Sequence, residues 1–68
     1  MEFKNEELIE REIEIAGYLV ERFSLKQISE TTGLSKKILT AHIRNMMQKL
    51  KAENIEALIR ILKEQRKN

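Results

Sequence analysis

Cysteine, proline and tryptophan are absent from this chain of 68 residues, which has two glycines and a single histidine. Without cysteine there is no disulfide and no thiolate metal site. One histidine leaves a metal ion only carboxylates or a partner chain as ligands, so we expect neither a metal site nor a cofactor. The absence of proline and the many Glu, Lys, Ile and Leu residues favour an all-α fold.

Long apolar runs are also missing. No stretch approaches the roughly 20 apolar residues of a membrane-spanning helix. The first residues, MEFKNEELIE, are acidic where a signal peptide would be basic and then apolar. We therefore expect a cytoplasmic protein without a membrane partner. The sequence has neither a nucleophile paired with a base nor a glycine-rich phosphate loop, so no enzymatic activity is expected.

The short chain predicts a single domain over residues 1–68. A domain of this size buries only about 60% of the surface that its unfolded chain exposes, so its stability is marginal. The charge is uneven. Residues 1–34 have 4 Lys/Arg against 8 Glu, whereas residues 35–68 have 9 Lys/Arg against 3 Glu. The basic second half suits a polyanionic partner, although charge alone fits solvated helix faces about as well.

Residues 24–50 have the pattern of a helix-turn-helix. Ser24 and Gln27 have the spacing of a capping box at the start of a helix. Gly33 can adopt the left-handed conformation that ends this helix, and Ser35 can cap the next one. The second helix of such a motif commonly reads the DNA major groove.

The third helix of the chain has two distinct faces. Apolar residues share one face at spacings of three and four: Leu39, Ile43, Met46 and Leu50. The opposite face is basic, small or hydrogen-bonding. Arg44 suits guanine O6 and N7, and Ala41 suits a thymine methyl group. The candidate DNA-binding residues, including phosphate contacts at helix starts, are Ser24, Lys26, Lys36, Lys37, Thr40, Ala41 and Arg44.

Two further helices are expected to support this motif. Helix 1 is predicted from about Glu6 to Arg22, with Asn5 as its N-cap. Its core-facing residues are predicted to be Leu8, Ile9, Ile13, Ala16, Leu19 and Val20, flanked by Ile15 and Tyr18. Helix 4 is predicted over about residues 54–64. Its apolar stripe would complete the monomer core or form a homodimer interface, and it consists of Ile55, Leu58, Ile59 and Leu62.

With these four helices and this turn, the chain resembles a known family, the LuxR/GerE-type DNA-binding domain of bacterial transcription regulators. The resemblance extends over residues 8–62. The matching residues are Leu8, Arg11, Glu12, Glu14, Ile15, Ser24, Lys26, Ile28, Gly33, Leu34, Ser35, His42, Asn45, Lys49 and Leu50. It implies a four-helix domain that binds double-stranded DNA with its third helix in the major groove. It also implies dimerisation through helix 4, RNA polymerase as a further candidate partner, and an ion pair between Glu12 and Lys49.

Several positions depart from the family pattern. The family usually has Thr-Pro where this chain has Ile9-Glu10, so helix 1 is expected to begin earlier here. Arg22 replaces a usual glycine, and Thr40 replaces a usual lysine, which removes one DNA contact. The turn at residues 51–53 is one residue shorter than usual.

Two alternatives stay open on sequence alone. The apolar stripe of helix 4 would also suit a small protein-interaction module that binds a partner protein. Sigma-factor region 4 has a similar fold and would bind core polymerase as well as DNA. His42 borders the buried face of helix 3, where a local hydrogen bond or a phosphate contact is a better interpretation than a metal ligand.

Overall fold

The computed structural model describes residues 8–65 of the chain. Within this range the helices are α1 (Glu10–Val20), α2 (Leu25–Thr32), α3 (Lys36–Leu50) and α4 (Ile55–Gln65), and there is no strand. The expected all-α fold with four helices is confirmed. None of the helices between residues 8 and 65 is long and apolar enough to cross a membrane.

The predicted start of α1 is wrong. The helix begins at Glu10 rather than Glu6, because Ile9 is extended with ψ of 167°. The Ile9 amide donates to the Glu12 carboxylate at 3.4 Å, so the side chain three residues into the helix caps its first turn. The suggested N-cap Asn5 lies outside the described residues.

One core unites the four helices. Its buried members are Leu8, Ile15, Ala16, Leu19, Val20, Ile28, Leu39, Ile43, Met46, Leu58, Ile59 and Leu62. Helix α1 packs against both α3 and α4, and α2 packs against α3. Because α1 is covered from two sides, the centre of its buried face is Ile15, which was predicted only to flank it. Ile9, predicted to face the core, is instead 52% exposed.

The helix-turn-helix has the predicted capping contacts at the start of α2 and in the turn between α2 and α3. The Ser24 hydroxyl accepts a hydrogen bond from the Gln27 amide at 3.1 Å, and the Gln27 side chain accepts one from the Ser24 amide at 2.8 Å. Gly33 ends α2 with φ of 79°. The Ser35 hydroxyl then accepts from the Ile38 amide at 3.2 Å and caps α3. These local bonds fix where α3 begins relative to α2.

Two residues other than glycine have left-handed backbone conformations among those described. Arg22 has φ of 67° in the α1–α2 turn, and Lys51 has φ of 59° at the end of α3. Arg22 is the position at which the resemblance predicts glycine, the residue best suited to this conformation. The turn therefore keeps the glycine-like backbone despite the arginine. The Arg22 guanidinium also contacts the Glu56 carboxylate at 3.4 Å, which joins this turn to α4.

Helix α4 completes the core of the monomer. The Asn54 side chain accepts from the Ala57 amide at 2.8 Å and caps the helix. Leu58 and Leu62 have no accessible surface, and Ile59 is 6% exposed. These three side chains therefore fill the core of the monomer, and the dimer interface assigned to α4 stays a prediction. Ile55, at 38% exposure, is the one member of the predicted interface that remains accessible.

Replacing each of the two glycines with alanine should have opposite effects on the free energy of unfolding. Gly17 lies inside α1, and a Cβ atom there would meet nothing within 4 Å. Gly17→Ala should therefore raise the free energy of unfolding by about 1 kcal/mol through helix propensity. Gly33→Ala should lower it by about 1–2 kcal/mol, since alanine is strained at positive φ. Urea unfolding followed by circular dichroism measures both. A stabilised Gly33→Ala variant would contradict the role assigned to the turn.

Candidate nucleic-acid interface

The exposed face of α3 forms a shallow hollow. Lys37, Thr40, Ala41 and Arg44 line it, and its volume is about 370 Å³. All four side chains are exposed. The spacing of three and four residues places them on one side of the helix, opposite Leu39 and the rest of the core-facing residues. The structure thus brings together four of the residues that the sequence predicted to contact DNA.

The side chains of this hollow differ in length in a way that suits a groove. Thr40 and Ala41 are short and adjacent in the chain. The long side chains of Lys37 and Arg44 stand about one helical turn before and one turn after this short pair. Small residues let the helix backbone come close to a surface, while the two cations can reach outward to either side. A polyanion with hydrogen-bonding groups in a groove fits this surface better than a flat apolar partner.

Three other predicted DNA contacts lie outside the hollow. Ser24, Lys26 and Lys36 are all exposed, and they stand at the beginnings of α2 and α3. The Ser24 hydroxyl and amide are both used in the capping contacts with Gln27, which leaves the amides of the next residues of α2 to meet an anion. Lys36 lies one residue before Lys37 and precedes the hollow along the helix. The phosphate contacts assigned to these residues stay a prediction.

A buried carboxylate links α1 to the back of α3. Glu12 is 1% exposed and accepts a hydrogen bond from the Lys49 ammonium at 2.9 Å. Its other carboxylate oxygen lies 3.4 Å from Nδ1 of His42. The Glu12–Lys49 pair implied by the resemblance is therefore confirmed. Glu12 is buried and Lys49 is partly exposed, so the pair differs from fully exposed pairs, which contribute only about 0–1 kcal/mol.

Opposing effects act on the pKa of Glu12. Burial raises this pKa, whereas hydrogen bonds from Lys49, His42 and the Ile9 amide lower it, and the charge of Lys49 adds to the lowering. The net direction is downward from the ordinary value of 4.5, so the carboxylate is charged at neutral pH. Two residues of α3 are thus held by one charged group of α1. This contact helps to fix the rotation of α3, and with it the direction in which the hollow faces.

Sequence reasoning missed two features of this region. It did not predict the burial of Glu12, although Glu12 stands three and four residues before the buried Ile15 and Ala16 and so shares their face. It also gave no role to Ile38, which is 46% exposed in the first turn of α3. Hydropathy does not distinguish Ile38 from its buried neighbour Leu39, but spacing does, because the residues four and seven positions after Ile38 are the polar His42 and Asn45.

Together these features define a class of protein. A compact helical domain has a capped helix-turn-helix, and the second helix of that motif exposes a basic face with small residues at its centre. This is the arrangement of helix-turn-helix DNA-binding domains.

Most of the chain matches the model of a known protein family. The family model for GerE, described as bacterial regulatory proteins of the luxR family, matches residues 6–62. The chain therefore belongs to the LuxR family, and the resemblance found in the sequence is confirmed. The chain has the helix-turn-helix DNA-binding domain of these transcription regulators. Neither a curated protein nor a solved structure matches the chain in the corresponding comparisons.

Proposed function

We propose that this domain binds a specific DNA sequence and regulates transcription by inserting α3 into the major groove. The observation that carries the proposal is the hollow on α3, in which two short side chains are framed by Lys37 and Arg44. The family match, which extends from residue 6 to residue 62, supports the same function. The basic balance of residues 35–68, with 9 Lys/Arg against 3 Glu, favours approach to a phosphate backbone.

Each side chain of the hollow has a role in this proposal. Arg44 donates to O6 and N7 of a guanine through two N–H groups, the most common specific contact in the major groove. Ala41 packs against a thymine methyl group, and the Thr40 hydroxyl bonds to a base edge or a phosphate. Lys37 neutralises a phosphate. Because Thr40 replaces the usual lysine of the family, the base preference of this chain should differ from that of relatives with lysine there.

The ends of α2 and α3 supply the backbone contacts. At the start of α2, Ser24 caps the helix with its own amide bonded to the Gln27 side chain, while Lys26 presents its backbone amide, its ammonium group and the positive end of the helix dipole to a phosphate. Lys36 does the same for α3. Contacts of this kind orient the domain on DNA and add salt dependence but carry no sequence information.

A binding selection on random duplex DNA at fixed moderate salt tests the proposal. We expect an enriched motif and an affinity that falls steeply with salt concentration. Equal affinity for unrelated sequences would contradict sequence-specific binding. The same data test dimerisation, because a two-fold dimer selects two inverted half-sites about one DNA turn, or roughly 34 Å, apart.

We also propose that two copies pair on DNA through the exposed side of α4 near Ile55. The proposal is supported by the 38% exposure of Ile55 and by the family resemblance, whereas Leu58 and Leu62 serve the core. Ile55→Glu should change the selected motif from paired half-sites to a single half-site with the fold retained. An unchanged paired motif would place the dimer contacts elsewhere.

A protein-interaction module is less well supported. That hypothesis depended on the apolar stripe of α4, and most of the stripe is buried within the monomer. The exposed residues of α4 are mainly charged, and they include Glu56, Arg60, Lys63 and Glu64. Contact with RNA polymerase stays a prediction from the resemblance.

A further inference from the structure

Ile38 is an exposed aliphatic residue at the start of the helix that carries the hollow. It is 46% exposed, whereas the adjacent Leu39 is fully buried and fills the core. The Ser35 hydroxyl accepts a hydrogen bond from the Ile38 amide at 3.2 Å, which fixes the backbone of this first turn. Ile38 is therefore held in a defined place on the surface and is not needed to fill the core.

The position of Ile38 brings it to the edge of the hollow. It precedes Ala41 by three residues, and residues at this spacing are neighbours on a helix surface. Ala41 lines the hollow, and so does Lys37, which adjoins Ile38 in the chain. Ile38 and Ala41 thus form a small apolar strip beside the cations that would meet the phosphates.

The groove proposed as the partner has one apolar group that such a strip can contact. Each base pair presents hydrogen-bond donors and acceptors in the major groove, and thymine alone adds a C5-methyl group. Removing the methyl group and the exposed part of Ile38 from water together is favourable. A polar base edge facing the same side chain would lose water contacts without replacement.

We propose that Ile38, together with Ala41, is a specificity-determining residue that contacts the C5-methyl group of one thymine in each half-site. The inference rests on the proposed function and adds an apolar base contact at a residue outside the predicted DNA-binding set. Ile38 supplies most of the apolar surface, since the alanine side chain is a single methyl group.

The test replaces thymine by deoxyuridine, one position at a time, in the site obtained by selection. Deoxyuridine lacks the methyl group and keeps the other groove atoms. At one position in each half-site, the unmodified protein should lose about fourfold in affinity, the factor that corresponds to burial of one methyl-sized group. The Ile38→Ala variant should bind the thymine and deoxyuridine sites with nearly equal affinity. Fluorescence anisotropy measures both.

Two controls separate this contact from general effects. Ile9→Ala removes an exposed isoleucine on the α1 side of the domain, at 52% exposure, and should keep the full sensitivity to deoxyuridine. Ile38→Val should keep part of it. Circular dichroism of Ile38→Ala should match the parent, because the residue lies outside the buried core.

The outcomes distinguish this inference from the proposed function. A selected motif in which no thymine is sensitive to deoxyuridine would overturn the role of Ile38 and leave DNA recognition intact. Equal sensitivity in the parent and Ile38→Ala would also overturn it, since the methyl contact would then belong to another residue. If the selection enriched no motif, that result would contradict the proposed function itself.

Discussion

Replacing both Lys37 and Arg44 with alanine should reduce affinity for the selected DNA site by roughly two orders of magnitude. A bidentate arginine–guanine contact contributes about 1–3 kcal/mol of discrimination, and the lysine adds a phosphate contact. Both side chains line the hollow on α3 and neither contributes to the core. The loss should therefore appear in binding and not in folding. Fluorescence anisotropy at several salt concentrations measures it.

The salt dependence separates the two residues. Loss of Lys37 alone should weaken binding to all sequences and make the slope of log K against log salt shallower by about 1. Loss of Arg44 alone should relax the preference at one base pair of the selected motif. A matched control removes equal charge elsewhere: Arg11→Ala plus Lys63→Ala, both exposed and on other helices. If the control weakened specific binding equally, general charge attraction would explain the affinity and the hollow would not.

The helix-turn-helix could be predicted closely because its limits depend on local chemistry. Ser24 and Gln27 cap each other within one turn, and the positive φ of Gly33 is a property of that residue. The Ser35 cap is equally local. Sequence patterns report such contacts directly, since every partner lies within a few positions of the other. The residues of the hollow followed from the same helix, once its buried face was known.

Features that depend on several helices could not be predicted in the same way. The start of α1 at Glu10 depends on the Glu12 carboxylate, which is buried against α3 and turned toward Ile9. The stripe on α4 had two interpretations because an apolar face does not reveal what covers it. Packing against α1 and α3 shows that Leu58 and Leu62 belong to the core, since it leaves them with no accessible surface, while the dimer interface stays a prediction.

The largest effect on stability is expected from Glu12→Ala. The substitution removes a carboxylate that is 1% exposed and leaves the Lys49 ammonium and the Ile9 amide without this acceptor. Removal of one partner of a buried ion pair costs about 3–5 kcal/mol, and the 31% exposure of the Lys49 side chain reduces this to roughly 2–4 kcal/mol. A domain of this size has little more stability than that to lose. Urea unfolding at pH 7 measures the change.

A neighbouring glutamate provides the matched control. Glu14 lies on the same helix and pairs with Arg11 at 3.1 Å, but its side chain is 45% exposed. Glu14→Ala should therefore change the free energy of unfolding by no more than about 0.5 kcal/mol. Equal effects of the two substitutions would show that burial of Glu12 contributes nothing.

The lowered pKa of Glu12 predicts how this contribution depends on pH. Because the carboxylate has a lower pKa in the folded state than in the unfolded state, its stabilisation is complete above the ordinary value of 4.5. This stabilisation is lost as the pH falls from the ordinary pKa through the lower pKa of the folded state. In that range the unfolded chain takes up a proton before the folded protein does. The parent should therefore lose more stability than Glu12→Gln as the pH falls below about 5. Parallel losses in the two proteins would mean that another carboxylate controls the acid response.

Glu12→Gln should also weaken DNA binding at neutral pH, since His42 and Lys49 then lose the charged partner that helps to orient α3.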